Sequence, residues 1–133
     1  MGLDMNLHKR DKSGNLVFEY GYWRKANHIH NWFVVNCQDG IDECQETEVT
    51  KDKIEELHRV CTEIMNTHKK LLPDVIKLTL YEDVLPTVEG FFFGGTDYDE
   101  DYIQDVEDTI NILNNVLEGT NFETDKIIYL SSW

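Results

Sequence analysis

At 133 residues the chain is sized for one domain, spanning 1–133, that buries a single core without disulfides or a structural metal. Its 26 acidic against 12 basic residues give a formal charge of -14, a field that repels nucleic acid and anionic membranes, excludes direct phosphate-backbone binding, and attracts basic proteins or cations. The imbalance is concentrated, with 12 acids and 8 bases before His68 and 14 and 4 from there on. Three cysteines, Cys37, Cys44 and Cys61, form no C-x-x-C pair. With no secretory leader and no apolar run near the roughly 20 residues of a membrane span, they point to a reduced, cytoplasmic protein without membrane contact.

Residues 3–9 and 16–22 alternate and are joined by Asp11-Lys-Ser-Gly-Asn15, which predicts a hairpin. From Arg24 to Cys37 the spacing predicts a helix with Ala26, Ile29, His30, Phe33, Val34 and Cys37 on its apolar stripe, ending before Asp39-Gly40. An acidic loop follows over 38–49. Thr50 suits the N-cap of a second helix running to Leu71, with Ile54, Leu57, Cys61, Ile64, His68 and Leu71 at three-four spacing, and Pro73 stops it. Residues 75–88 stay open between strand and helical turn. Phe91–Phe93, bounded by glycines, reads as a short buried strand leading to a third helix over Tyr98–Leu117, which Gly119 ends, and Lys126–Leu130 reads as a last strand. The fold class expected is α+β, a small, mostly antiparallel sheet packed with about three helices.

Two segments dense in aromatic and polar residues, 20–32 and 90–102, combine adhesive contact area with directional hydrogen bonds, the composition of a binding surface. On the first helix the face opposite the apolar stripe gathers Arg24, Asn27, His28 and Asn31, flanked by Lys25, Trp32 and Val35, so it is covered by the loop 38–49 or receives a partner. His28 and His30 lie two apart and cannot share a metal ion as an i, i+4 pair would. His30 reads as a hydrogen-bonded core histidine, His28 as the candidate for acid–base work. Gly94-Gly95-Thr96 resembles a phosphate cradle, but the carboxylates of Asp97, Asp99, Glu100 and Asp101 would repel a phosphate, and Thr96 with Asp99 fits an N-cap pattern. The seven acids and no base between Asp97 and Asp108 lack calcium-loop spacing. Asp101, Asp105 and Asp108 share an outward helix face suited to a basic partner.

No complete catalytic constellation, metal site or cofactor motif stands out. The candidate ligand- or partner-binding residues are Trp23, Arg24, Asn27, His28, Asn31, Trp32, Phe93, Thr96, Tyr98, Asp99, Asp101, Tyr102, Asp105 and Asp108. The two segments are expected to meet in space, with Trp23, Arg24 and Tyr98 around one depression. The partner expected is a protein with a basic surface or a small nucleotide-like ligand.

The opening Met-Gly-Leu-Asp-Met5, the block from Tyr22 to Phe33, Gln38-Asp-Gly-Ile-Asp-Glu-Cys44, Leu85-Pro-Thr87 with Gly90-Phe-Phe-Phe-Gly94, Thr96-Asp-Tyr-Asp99 and the closing Ser131-Ser-Trp133 resemble a family of small tailed-bacteriophage and prophage proteins. The likeness covers nearly the whole chain. Members are sometimes labelled phosphoglycerate-kinase-like, but this chain has neither the length nor the glycine-rich nucleotide-binding architecture of that enzyme. The resemblance implies an accessory, host-directed protein made in the cytoplasm of an infected bacterium. By analogy with other small acidic phage proteins it would be a counter-defence inhibitor of the anti-CRISPR kind, acting by binding. A small enzyme for a nucleotide or other polar metabolite, and a virion or lysis-module structural protein, are the alternatives.

Overall fold

In a computed structural model, which describes residues 2–90 and 93–133, the chain runs β1 (Asp4–Arg10), β2 (Leu16–Arg24), α1 (Asn27–Cys37), β3 (Thr47–Val49), α2 (Lys51–His68), α3 (Asp74–Val84), α4 (Glu100–Gly119) and β4 (Lys126–Ser132). The four strands form one antiparallel sheet in the order β2-β1-β4-β3. The fold is α+β, as the sequence predicts. No helix among the described residues is long and apolar enough to cross a membrane.

The hairpin forms where turn chemistry places it: the Asp11 carboxylate accepts from the backbone N–H of Ser13 and Asn15, and Gly14 takes a left-handed φ of 83°. Pairing of Met5 with Trp23 and Ser131, and of Leu7 with Tyr129, puts their side chains on one face, where the helices cover them. α2 contributes Ile54, Leu57, Cys61 and Ile64 to this core, and α4 contributes Val106, Leu113 and Val116. Phe33 of α1 stacks on Tyr129 with ring centroids 4.0 Å apart.

Four differences from the sequence expectation shape the site. The first helix starts at Asn27, because Arg24 still pairs with Asp4 in the sheet and Lys25 turns the chain with a φ of 57°. The expected loop 38–49 contains the edge strand β3, three residues held by β4. Residues 74–84 form a fourth helix that buries only Tyr81, which explains its weak periodicity. α4 begins at Glu100 with Asp99 as N-cap, its carboxylate accepting from Tyr102 N–H at 3.2 Å, so Thr96 is not the cap. Of the expected strand Phe91–Phe93, Phe91 and Phe92 lie outside the described residues. Phe93 belongs to no strand; its N–H donates to the Gly90 carbonyl at 3.2 Å.

The connection from α3 to α4 is secured to α1 by one side chain. Asn27 is 1% exposed; its Nδ2 donates to the carbonyls of Phe93 (3.1 Å) and Gly95 (2.8 Å), and its Oδ1 accepts from Val88 N–H (2.9 Å). An amide alone among side chains of this size supplies two donors and an acceptor in this arrangement. Replacing Asn27 by the isosteric aspartate sets a carboxylate oxygen against two carbonyls. Asn27→Asp should therefore destabilise the protein by at least about 3 kcal/mol in denaturant unfolding, and a loss below about 1 kcal/mol would show that these bonds do not hold the connection.

Candidate functional site

The chain reaches the site along β2 and leaves the sheet there. Strand alternation turns Trp23 inward and Arg24 outward, and the left-handed turn at Lys25 starts α1. Gly94, with a φ of 90°, crosses this turn so closely that a Cβ would lie 2.9 Å from Lys25 Cβ and 3.1 Å from the Lys25 carbonyl oxygen. Only glycine fits that crossing. Between the two backbones opens a cleft of about 360 Å³, with Arg24, Lys25, Asn27 and His28 on one side and Gly94, Gly95 and the start of α4 on the other.

His28 forms the inner wall. It is 3% exposed, and its ring stacks on Tyr102 at 4.2 Å between centroids. Nε2 of His28 has no hydrogen-bond partner and lies 3.9 Å from Oδ2 of Asp105, too far for a direct bond. Burial pushes the imidazole down to about 3, against smaller upward effects of a hydrogen bond to the Tyr102 backbone and the Asp99 charge. Burial is also the main cause that lifts the Asp105 carboxyl to about 7, followed by the charges of Asp108, Asp101 and Asp99. Near neutral pH the inner wall is thus an uncharged imidazole beside a carboxyl at its titration point. Tyr102 is locked beneath them, its hydroxyl donating to the Leu85 carbonyl at 2.8 Å.

The predicted residues divide among several places. Arg24, Asn27, His28, Asp99, Asp101, Tyr102 and Asp105 line the cleft. Trp23 does not: it is core, and its Nε1 donates to Thr109 Oγ1 at 2.8 Å. Trp32 is buried edge-on against Phe33, and Asn31 is half-buried away from the cleft. Phe93 packs edge-on against His30 and Trp133 while its carbonyl serves Asn27. The Thr96 carbonyl accepts from Thr87 Oγ1, and the Tyr98 hydroxyl accepts from Thr87 N–H, turning Tyr98 toward a separate groove between α3 and α4. Asp108 is exposed and accepts from Gln104. The acids Asp101, Asp105 and Asp108 therefore do not form a uniform outward face, since Asp105 turns to the cleft.

Segment 93–105, rather than loop 38–49, covers the polar side of α1 at Asn27 and His28. Loop 38–49 instead reaches His30 through Asp42, which bonds Nε2 at 2.9 Å while the Tyr129 hydroxyl bonds Nδ1 at 2.6 Å. Sequence reasoning did not place Lys25, Thr87, Gly94, Gly95, Asp97 and Gln104 at the site. The Gly94-Gly95 pair was the one signal available, since paired glycines mark close backbone approach as well as phosphate binding.

No protein family matches this chain, and neither a curated protein nor a solved structure matches it.

The two shifted groups oppose each other in stability. His28 has a depressed folded value, so its contribution is complete above its unfolded value of 6.5 and is lost as pH falls toward about 3. Asp105 has a raised folded value, so its contribution is complete below 3.8 and is lost as pH rises through about 7. From 3.8 to 6.5 the pair holds one proton in both the folded and unfolded chains, and the effects cancel. Asp105→Asn should leave a protein whose unfolding free energy, relative to wild type, falls as pH drops from 6.5 toward 4. His28→Gln should leave one whose relative stability rises over the same interval. Parallel pH profiles for wild type and both variants in urea titrations would contradict this pairing.

Proposed function

We propose that this chain is a phage-encoded accessory protein that counters host defence by binding, and that it binds a small polar ligand in the cleft between the β2–α1 turn and the start of α4. The phage assignment rests on the motif resemblance of the Tyr22–Phe33 block, Gly90–Gly94 and Ser131-Ser-Trp133. The binding reading rests on one observation: the buried Nε2 of His28 has no partner and faces Asp105 at the wall of the cleft. Leaving such an atom unpaired costs on the order of 1–3 kcal/mol, which a ligand that pairs it would recover.

Four carboxylates, from Asp97, Asp99, Asp101 and Asp105, against Arg24 and Lys25 give the lining an acidic excess. That balance disfavours a polyphosphate and narrows the nucleotide-like class to ligands of low negative charge. The exposed acids Glu100, Asp101, Glu107 and Asp108 would in turn support contact with a basic host protein.

A second reading has an observation of its own. His28 and Asp105 are two titratable groups in one cleft with values pushed in opposite directions, the pattern of an acid–base pair, which favours a small enzyme for a polar metabolite.

Incubating the protein with deproteinised extract of infected bacteria, desalting it and denaturing it should release one small molecule in near-equimolar amount. His28→Gln and Asp105→Asn should retain at least about tenfold less. A wild-type protein that retains nothing would refute ligand capture. Disappearance of a metabolite in large molar excess, abolished by the same variants, would instead establish the enzymatic reading.

A further inference from the structure

We infer that the group received by this cleft is an organic cation, an alkylammonium or guanidinium nitrogen seated between the Asp105 carboxyl and Nε2 of His28. The inference deepens the proposed binding role and rests on it. Distance supports it first. Two acceptors 3.9 Å apart are spanned by a single nitrogen about 2.9 Å from each; Nε2 is itself closed to solvent, so a shift of the partly exposed Asp105 side chain admits the nitrogen, which then satisfies the Nε2 that no protein group reaches. In its Nδ1-protonated tautomer the neutral imidazole is an acceptor at Nε2, as the carboxylate is, and that is the tautomer the proposed cation selects, since both wall groups then call for a donor.

Charge supports it independently. Asp99 is committed to capping α4, and Asp97 and Asp101 are exposed at the mouth, which leaves Asp105 as the half-buried acid facing His28. Arg24 and Lys25 are exposed at the opposite lip and make no ion pair among the described residues. They suit the neutral or anionic end of a molecule whose cationic end reaches Asp105.

A metal ion fits less well. No group of three His, Cys, Asp or Glu side chains among the described residues converges as a metal cage requires. A guanidinium or ammonium needs no such cage, because its donors can be shared between one carboxylate and one imidazole. The same chemistry could come from a free metabolite or from an arginine or lysine side chain of a basic partner protein.

The test is calorimetric titration of the full chain at a pH above 7, where Asp105 is ionised, with agmatine, with a peptide carrying a single arginine, and with inorganic phosphate. Saturable one-to-one binding of agmatine or the peptide, weakened at least about tenfold by Asp105→Asn and by Asp101→Asn to a smaller extent, supports the inference. Glu123→Gln, exposed in the turn before β4, should bind as wild type does. Tighter binding of agmatine identifies a small-molecule source, and tighter binding of the peptide identifies a protein side chain. Absence of saturable binding by both cations, or equal affinity in wild type and Asp105→Asn, overturns it. Phosphate binding in their place overturns the cation and leaves the cleft as a binding site, as does capture from extract of a molecule without a positive charge.

Discussion

Everything near the cleft depends on the three hydrogen bonds of the Asn27 side chain. α1 is the helix that carries His28, and the chain from Leu85 to Asp99 is the long connection that must return from α3 to α4. Asn27 joins them by bonding Val88, Phe93 and Gly95 from a fully enclosed position. The described residues of this connection have almost no regular structure, so their backbone groups must find partners elsewhere. One amide supplies three of them, and the Tyr98 and Tyr102 hydroxyls and Thr87 supply others. With the connection held there, Gly94 meets Lys25, α4 starts at Glu100, and Asp105 comes to face His28.

Such a frame carries its unfavourable features at the cleft. An unpaired buried imidazole nitrogen, a carboxyl raised to about 7 and a non-glycine residue at a φ of 57° lie within one cleft. Each is unfavourable taken alone. Most buried positions in the core formed by α2, α4 and the inner face of the sheet are aliphatic or aromatic, and His30 is bonded at both ring nitrogens, although the Tyr81 hydroxyl and Ser131 Oγ are likewise buried without a partner. The two histidines, two residues apart on the same helix, thus differ in that one has both ring nitrogens bonded and the other leaves Nε2 unpartnered.

Much of the fold was legible because its long elements carry their periodicity openly. The stripes Ile54-Leu57-Cys61-Ile64 and Val106-Leu113 specify α2 and α4, and Asp11 through Asn15 specify the hairpin. β3 was not legible, since three residues carry no pattern and the strand exists only because β4 offers an edge. α3 was not legible either: Val75, Ile76 and Leu78 stay exposed, so its apolar residues do not mark a buried face. For the site, the two segments could be identified, but the placing of Trp23, Arg24 and Tyr98 around one depression failed, since only Arg24 lines the cleft. A helix starting at Arg24 would group it with Asn27 and His28, whereas strand alternation sends adjacent residues to opposite sides. Composition alone also cannot show which acid in an acidic run turns inward, and here it is Asp105.

The central claim is that the cleft is walled by a neutral histidine with an unpartnered ring nitrogen. The ring nitrogen resonances of His28, followed by nuclear magnetic resonance in the uniformly labelled chain from about pH 4 to 8, test it on the unmodified protein. The account predicts a neutral imidazole throughout, with Nε2 shifts of an acceptor that has no donor. A His28 that titrates with a midpoint near its ordinary value of 6.5 would contradict it.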